Sequence, residues 1–490
     1  MLSVFSKSTS HILWTAAFML LPLLATSCQW MTDDGDCESD IRDAAQYINV
    51  TISVSASESP FTRSPQGGEN GDGREKGIDT RENEVDGVTL IFFQDASNIG
   101  INSTAENAAS TPIDLAVYYT VTRDDNHAVL HPTGHTDEVY YTTGERQLDV
   151  ALNPKGEYRL LIVANANLTD NITAGTTTLA EVRDMVLSSV YTGSGIGVAA
   201  SKFVMSSEQD QTIDLSLSSY DKATNRFTFR LDNVHMERMA ARIDYCTVGA
   251  TYDSDHGGYR YTVGSAGAFL VVTKVTPFNL YDESEFLFKR IRNNWIDATP
   301  AITYLGSEGT SNLNYYVVDP QTANKDNGDT GQPVYLSPIA EDMSNGYTQT
   351  MSSLSDGQTF TDTNGNNNVI IAYPKENTLM PTSYLKKYAT GLAFETKYYA
   401  GPSITEPVTR IYYYYLRHQG EKATGSYQAK QWNELSDDET CANDVPMNFG
   451  IVRNNIYRVS VEGFTPVEAL LKIRIEEKHW RHVDNPAIYI

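Results

Sequence analysis

The sequence predicts an all-β, extracytoplasmic protein built of β-sandwiches. Two observations carry this. The chain holds 30 Tyr and 33 Gly in 490 residues, with Tyr and Thr suited to half-exposed pleats and Gly and Asn to the turns between them. Its apolar segments are short and punctuated by Gly, Asn, Asp and Pro, without the strand–helix alternation of a βαβ sheet. The length exceeds one ordinary core and implies two or three domains. With 40% apolar and 20% charged residues, the chain is not globally disordered. A net charge of −25 repels phosphate backbones and argues against a nucleic-acid partner. No apolar run in the body of the chain has the length of a membrane-spanning helix.

Taken in order, residues 1–28 read as a secretory signal. Lys7 supplies a thin positive region, Ile12 to Ala25 an apolar one, and Ala25-Thr26-Ser27-Cys28 small residues before a cysteine. That ending resembles a bacterial lipobox, which makes Cys28 the candidate lipidation site. Tyr47 to Val54 (YINVTISV) alternates, with Ile48, Val50, Ile52 and Val54 on one face. Ser55 to Gly87 is rich in Gly, Pro, Ser and charge and has no apolar period, so it is an exposed linker. Arg63, Arg74 and Arg81 lie in it, in the kind of backbone that proteases cut. Val88 to Phe93 resumes as strand. Further strands are expected at 114–122, 157–164, 227–231, 241–248, 269–275, 313–318, 369–372, 411–416, 456–461 and 470–475. One helix is expected at Leu179–Leu187, where Thr178 and Glu181 form a capping box, and a second around Glu283–Asn294. The domain boundary is placed near 235.

The candidate chemistry is thin. Gly193-Ser194-Gly195-Ile196-Gly197 follows a helix instead of a strand and lacks an adjacent Lys-Ser/Thr, so it is a loop and not a phosphate cradle. Asp362, Asn364, Asn366 and Asn368 alternate as calcium ligands do, but Gly365 is misplaced and no Glu closes the loop. An Asn/Gly hairpin tip is the better reading. Tyr412 to Tyr415 reads as a strand with Tyr on both faces, with a carbohydrate-stacking platform as the alternative. His418, His479 and His482 read as packing or surface residues. Cys37, Cys246 and Cys441 fit no zinc or redox spacing, and Cys246 and Cys441 are either a disulfide or two buried thiols. No catalytic constellation is present, so the chain is expected not to be an enzyme, with no cofactor and no metal.

The two ends invite assembly. Near the C-terminus Leu471, Ile473 and Ile475 face one way, and the tail closes on Ala487-Ile488-Tyr489-Ile490 without a charged cap. If a protease removes residues 1–63, the first sandwich loses a strand and exposes a groove and unpaired edge amides. Another molecule's C-terminal strand, contributing Leu471, Ile473, Ile475, Ala487 and Tyr489, could fill it. Four inward aliphatics at about 1.5–3 kcal/mol each amount to roughly 10 kcal/mol before entropy is subtracted. A head-to-tail contact of this kind propagates into a filament.

Several segments, in order, resemble the fimbrillin family, the Bacteroidales type V pilins, and most closely its short-fimbria shaft subunits. Tyr47–Val54 looks like the removable first strand and Thr62-Arg63-Ser64 like the maturation site. Glu157–Asn167 (EYRLLIVANAN), Thr178–Val186 (TLAEVRDMV), Met239–Ile243 (MAARI), Tyr412–Gln419 and Met447–Val461 (MNFGIVRNNIYRVSV) follow. The acidic cluster Asp33, Asp34, Asp36, Glu38 and Asp40 resembles the surface-export signal of Bacteroidetes lipoproteins. The resemblance implies two transthyretin-like β-sandwich domains, spanning 64–235 and 236–490 behind a propeptide at 29–63. It implies an outer-membrane lipidated precursor, cleavage between Arg63 and Ser64 by an Arg-specific protease, and donor-strand exchange into a surface fimbrium. The partners would be copies of the same chain and the tip and anchor proteins, with a transient lipid anchor. The alternatives are a tip or accessory adhesin for glycan or protein, and a monomeric glycan-binding surface lipoprotein.

Overall fold

The computed structural model describes residues 47–55, 74–75, 82–94, 110–123, 140–148, 157–193, 200–207, 211–214, 220–221, 226–264, 266–292, 302–304, 316–317, 319–320, 359–361, 365–379, 383–417, 424–441 and 448–480. The protein is all-β. Its first main strands are β1 (Tyr47–Ser55), β2 (Gly87–Gln94), β3 (Leu115–Thr120), β4 (Tyr140–Thr142), β5 (Arg146–Leu148), β6 (Glu157–Ala164), β7 (Met205–Ser207) and β8 (Arg226–Arg238). There follow β9 (Arg242–Cys246), β10 (Ala250–Asp253), β11 (Gly258–Val263), β12 (Ala268–Phe278), β13 (Asn367–Ala372), β14 (Gly391–Tyr399), β15 (Val408–Tyr415), β16 (Thr424–Ala429), β17 (Asn455–Thr465) and β18 (Leu470–Trp480). The helices α1 (Leu179–Arg183) and α2 (Leu385–Tyr388) are about one turn each.

Two compact units divide the chain: Met1–Val50, Glu145–Glu157 and Ile213–Arg230 form the first, and Thr51–Gly144, Tyr158–Thr212 and Leu231–Ile490 the second. In the first unit, Ile48, Asn49 and Val50 of β1 pair antiparallel with Leu148, Gln147 and Arg146 of β5. Tyr220–Asp221 forms a hairpin with the start of β8.

In the second unit, β2 runs antiparallel between β3 and β6, and β7 joins β6 to the end of β8. The apolar run Val88–Phe93 is buried along its whole length, as expected of a strand covered on both faces. Ser53, Val54 and Ser55 of β1 pair with β4. The rest of the unit holds a sandwich. One sheet orders Arg74–Glu75, β18, β17, β9, β13 and Thr359–Thr361, with β16 on β18; the other orders β10, β11, β12, β14 and β15. Ile243, Tyr245, Val459 and Ile473 of the first meet Leu270, Val272, Leu392 and Tyr412 of the second in one core. Along β12 the inward residues are Leu270 and Val272, then Val275. The change of parity falls at a register shift between Val272 and Lys274, where one extra residue turns the strand over. Gly391 is required where β14 crosses β12, because a Cβ there would stand 2.2 Å from Phe278 Cζ and 2.6 Å from the Tyr414 carbonyl oxygen.

Helix α1 begins with the expected capping box: Glu181 N donates to Thr178 Oγ1 at 3.2 Å and Thr178 N donates to Glu181 Oε2 at 2.7 Å. It is shorter than expected, because Val186 and Leu187 leave it to pair with Phe286 and Glu285. The helix expected around Glu283–Asn294 is corrected for the same reason: the segment forms strands Glu285–Phe286 and Arg290–Arg292. Tertiary pairing overrides local propensity in both.

Candidate assembly strands and their buried anchors

The sequence-predicted residues fall in three places. Cys28, Arg63, Ser64, Ala487 and Tyr489 lie outside the described residues. Ile48, Val50, Ile52 and Val54 all stand on β1, which pairs with β8 on one side and with β4 and β5 on the other. Leu471, Ile473 and Ile475 are fully buried in the sandwich of their own chain, on a strand paired with β17 on one side and β16 on the other. Releasing them would break two ladders and expose three aliphatic side chains, about 1.5–3 kcal/mol apiece.

Tyr412–Tyr415 form the expected strand with Tyr on both faces, and their burial speaks against the carbohydrate platform. Tyr412 and Tyr414 point into the sandwich core, while Tyr413 and Tyr415 pack on the other face against Phe278, Leu385 and Phe449. Burial raises the pKa of each phenol. Strands Thr359–Thr361 and β13 pair on either side of the Asn/Gly segment, where Gly365 has φ +80° and Asn368 Nδ2 donates to the Asn366 carbonyl; Asp362 and Asn364 lie outside the described residues. Among the described residues no group of three or more His, Cys, Asp and Glu could hold a metal ion, and no helix is long and apolar enough to cross a membrane. Cys246 and Cys441 are buried thiols that form no disulfide. His418, His482 and residues 194–197 lie outside the described set, and His479 lies on β18.

What sequence reasoning missed is a pair of buried ion clusters in the second unit. The first gathers on Glu82, at the end of the linker. Arg242 Nη1 donates to Glu82 Oε2 at 3.0 Å, and its Nε and Nη2 grip Asp244 at 2.9 and 3.0 Å. Arg458 Nη2 donates to Asp244 Oδ2 at 3.2 Å, and Tyr373 OH to Glu82 Oε1 at 2.7 Å. Arg238 Nε donates to the Glu82 carbonyl at 3.0 Å, and its Nη2 to Asn83 Oδ1. Burial disfavours charge on Arg242, but Asp244 and Glu82 outweigh it and hold its pKa above the ordinary value. Burial pulls Arg238 down to about 10 against the attraction of Glu82. Burial and then Glu82 raise the Tyr373 phenol, so it keeps the proton it donates.

The second cluster centres on Arg453. Its Nη2 donates to Glu376 Oε2 at 2.7 Å and to the Phe286 carbonyl at 2.6 Å, and its Nη1 to the Leu287 carbonyl at 3.2 Å. Glu376 N donates to Glu285 Oε1, and Lys289 Nζ donates to Glu237 Oε1. Burial lifts Glu285 well above its ordinary pKa; Arg453 opposes this and the Glu376 charge adds to it. Burial likewise pushes Glu237 up to about 8 and Lys289 well down. As a touching pair, these two hold one proton between them, as carboxylate with ammonium or carboxyl with amine.

A third anchor is Asn165, at φ 61° after β6. Its Nδ2 donates to the Glu84 and Phe203 carbonyls at 2.8 Å each, and Asp86 N donates to its Oδ1 at 2.8 Å. The left-handed backbone suits Asn better than any branched residue. These anchors give physical roles to the resemblance segments: Asn165 stands in EYRLLIVANAN, Arg242 in MAARI, and Arg453 and Arg458 in the 447–461 stretch. A sequence signal was therefore present, charged residues inside otherwise apolar strands, but not the identity of their partners.

No protein-family model matches the chain, and no curated protein does. Among solved structures, it is similar to the tip fimbrial protein Mfa3 of Porphyromonas gingivalis with a C-terminal truncation, at 10% identity over 88% of this chain and 100% of that one, TM-score 0.36. It is similar to a fimbrilin, FimA, of the same organism at 14% identity, over 89% and 99%, TM-score 0.34. A fimbrial assembly protein of Parabacteroides distasonis matches at 11% identity, over 85% and 91%, TM-score 0.31. Neither identities nor TM-scores at this level assign a function.

Proposed function

We propose that the chain is a structural subunit of a surface fimbria, exported as a lipoprotein through Cys28, cut after Arg63 and polymerised by donor-strand exchange. The observation that carries the reading is where each part of the N-terminal region is held. Strand β1 lies between β8 on one side and the short strands β4 and β5 on the other, whereas the chain beyond Arg63 pairs with β18 at Arg74–Glu75 and is fixed again at Glu82 by a buried ion pair. Trimming can remove β1 without touching that anchor. Cleavage at Arg63 leaves 490 − 63 = 427 residues and takes away Cys28, and the lipid with it.

Because Leu471, Ile473 and Ile475 complete their own sheet, the donor role falls first on the tail beyond Trp480, with Ala487 and Tyr489 entering a neighbour's vacancy. Copies of the same chain, tip and anchor subunits and an Arg-specific protease are the partners of this reading, and the outer membrane followed by the fimbria is its location. The burial of Tyr412–Tyr415 removes one motive for the glycan-binding alternatives. The test treats folded precursor with an arginine-specific protease and examines unboiled samples for oligomer ladders. Ladders are expected from the full chain and none from a variant ending at Trp480. Persistent monomer after complete cleavage at Arg63 overturns the proposal.

A further inference from the structure

We infer that Glu82 is the stop of proteolytic trimming: its buried carboxylate fixes the point past which the linker cannot be cut. This rests on the maturation reading above but concerns a different bond. Three arginines lie in the linker, and composition alone makes them equivalent substrates. A protease must draw several residues on both sides of the scissile bond into its cleft in extended form, so cleavage requires local opening.

For Arg81, which lies outside the described residues, the residue on the far side of the bond is Glu82. Glu82 is 2% exposed. Its side chain accepts from Arg242 and Tyr373, and its carbonyl, part of the next peptide unit, accepts from Arg238 Nε. Asn83 is tied to Arg238, and two residues later the Glu84 carbonyl and Asp86 N are tied to Asn165. Drawing residues 82–86 into a cleft therefore breaks an ion pair and at least five hydrogen bonds. It also leaves the buried Arg242 with one counter-ion fewer. The product is opposed as well, since a new ammonium at residue 82 would lie among the Arg238 and Arg242 charges. The residues between the upstream arginine that is cut and Glu82 thus remain ahead of the anchored fold after trimming: 64–81 for Arg63, 75–81 for Arg74.

The experiment incubates the detergent-solubilised full-length precursor with an arginine-specific protease and follows new N-termini by sequencing and intact mass. Each rate is normalised to the same bond in the urea-unfolded chain. Cleavage at Arg81 should be at least about 100-fold slower than at Arg63, the scale set by breaking a buried ion pair. Glu82→Gln should raise the Arg81 rate tenfold or more (on the order of the ion-pair contribution). Inserting Gly-Ser-Gly-Ser between Arg81 and Glu82 leaves the anchor intact and moves the bond away from it, so Arg81 should then be cut within a few-fold of Arg63. Rapid appearance of chains beginning at Glu82 in the wild type overturns the inference, as does continued resistance in the insertion variant. Resistance of Arg63 with release of Arg81 by the insertion would instead overturn the maturation site and leave the stop standing.

Discussion

Replacing Glu285 by Gln should flatten the dependence of stability on pH. Three carboxyl groups, Glu237, Glu285 and Glu376, share a buried site with Lys289 and Arg453, and the buried Lys375 charge also acts on Glu285. Burial lifts the Glu285 pKa well above its ordinary 4.5, and the Glu376 charge adds to this, against the Arg453 and Lys375 charges. In the unfolded chain this carboxyl ionises above pH 4.5. Between that point and its folded value the native state therefore binds one proton more than the unfolded state. Stability then falls as pH rises, by about 1.4 kcal/mol per pH unit, and levels off above the folded value. The Glu237–Lys289 pair binds one proton in both states near neutrality and leaves this slope unchanged. Gln has nearly the same shape and carries an amide donor where the protonated acid carries its hydroxyl. At pH 5 the variant should lie within about 1 kcal/mol of wild type. Its advantage should then grow by about 1.4 kcal/mol per pH unit. Urea unfolding of both proteins at several pH values measures this, and titrating groups outside the cluster cancel in the difference. Parallel curves for the two proteins would falsify the assignment of the proton to Glu285.

Three further outcomes are expected. Asn165→Ala removes three hydrogen bonds and places a Cβ residue at positive φ, at a cost of about 2–4 kcal/mol in urea unfolding; Asn165→Gly should recover about 1 kcal/mol of it. Equal losses in the two variants would show that backbone conformation does not matter there. Gly391→Ala drives a methyl into Phe278 and the Tyr414 carbonyl, and should cost 3 kcal/mol or more (about the upper end for overpacking), visible as a lowered Tm. Phe278→Leu in that background should restore only part of the loss, because the carbonyl contact remains. The thiols of Cys246 and Cys441 should react with an aromatic disulfide reagent only after denaturation, and thiol reductants should leave the Tm of the trimmed chain unchanged. Fast labelling of the native protein would contradict their burial.

Much of the fold was legible because a strand with one or both faces buried writes a pattern into the chain. Glu157–Ala164 emerges with the expected bounds, and β1, β2, β12 and β17 lie where alternation or apolar runs place them. The Thr178–Glu181 box marks the start of α1 because capping is a local interaction. Strand β14 escaped notice: Leu392 and Phe394 face one core, Ala393 another, and a strand covered on both sides has no period to read. The two helix errors are one error. Val186–Leu187 and Glu285–Phe286 belong to different local patterns, and each becomes strand only because the other is opposite it.

By itself, then, the sequence determined the all-β class and the positions of the strands with a readable period, since periodicity and turn residues are local properties; the stretch expected to be an exposed linker instead pairs at Arg74–Glu75 and is buried at Glu82 and Val85. Only the tertiary structure decided which charges meet. Glu82 and Arg242 lie 160 residues apart and Arg458 and Asp244 214 apart, a pairing no local rule specifies. Desolvation makes an ion tolerable in a core only when its partner is delivered to within about 3 Å, and that delivery is a property of the folded chain.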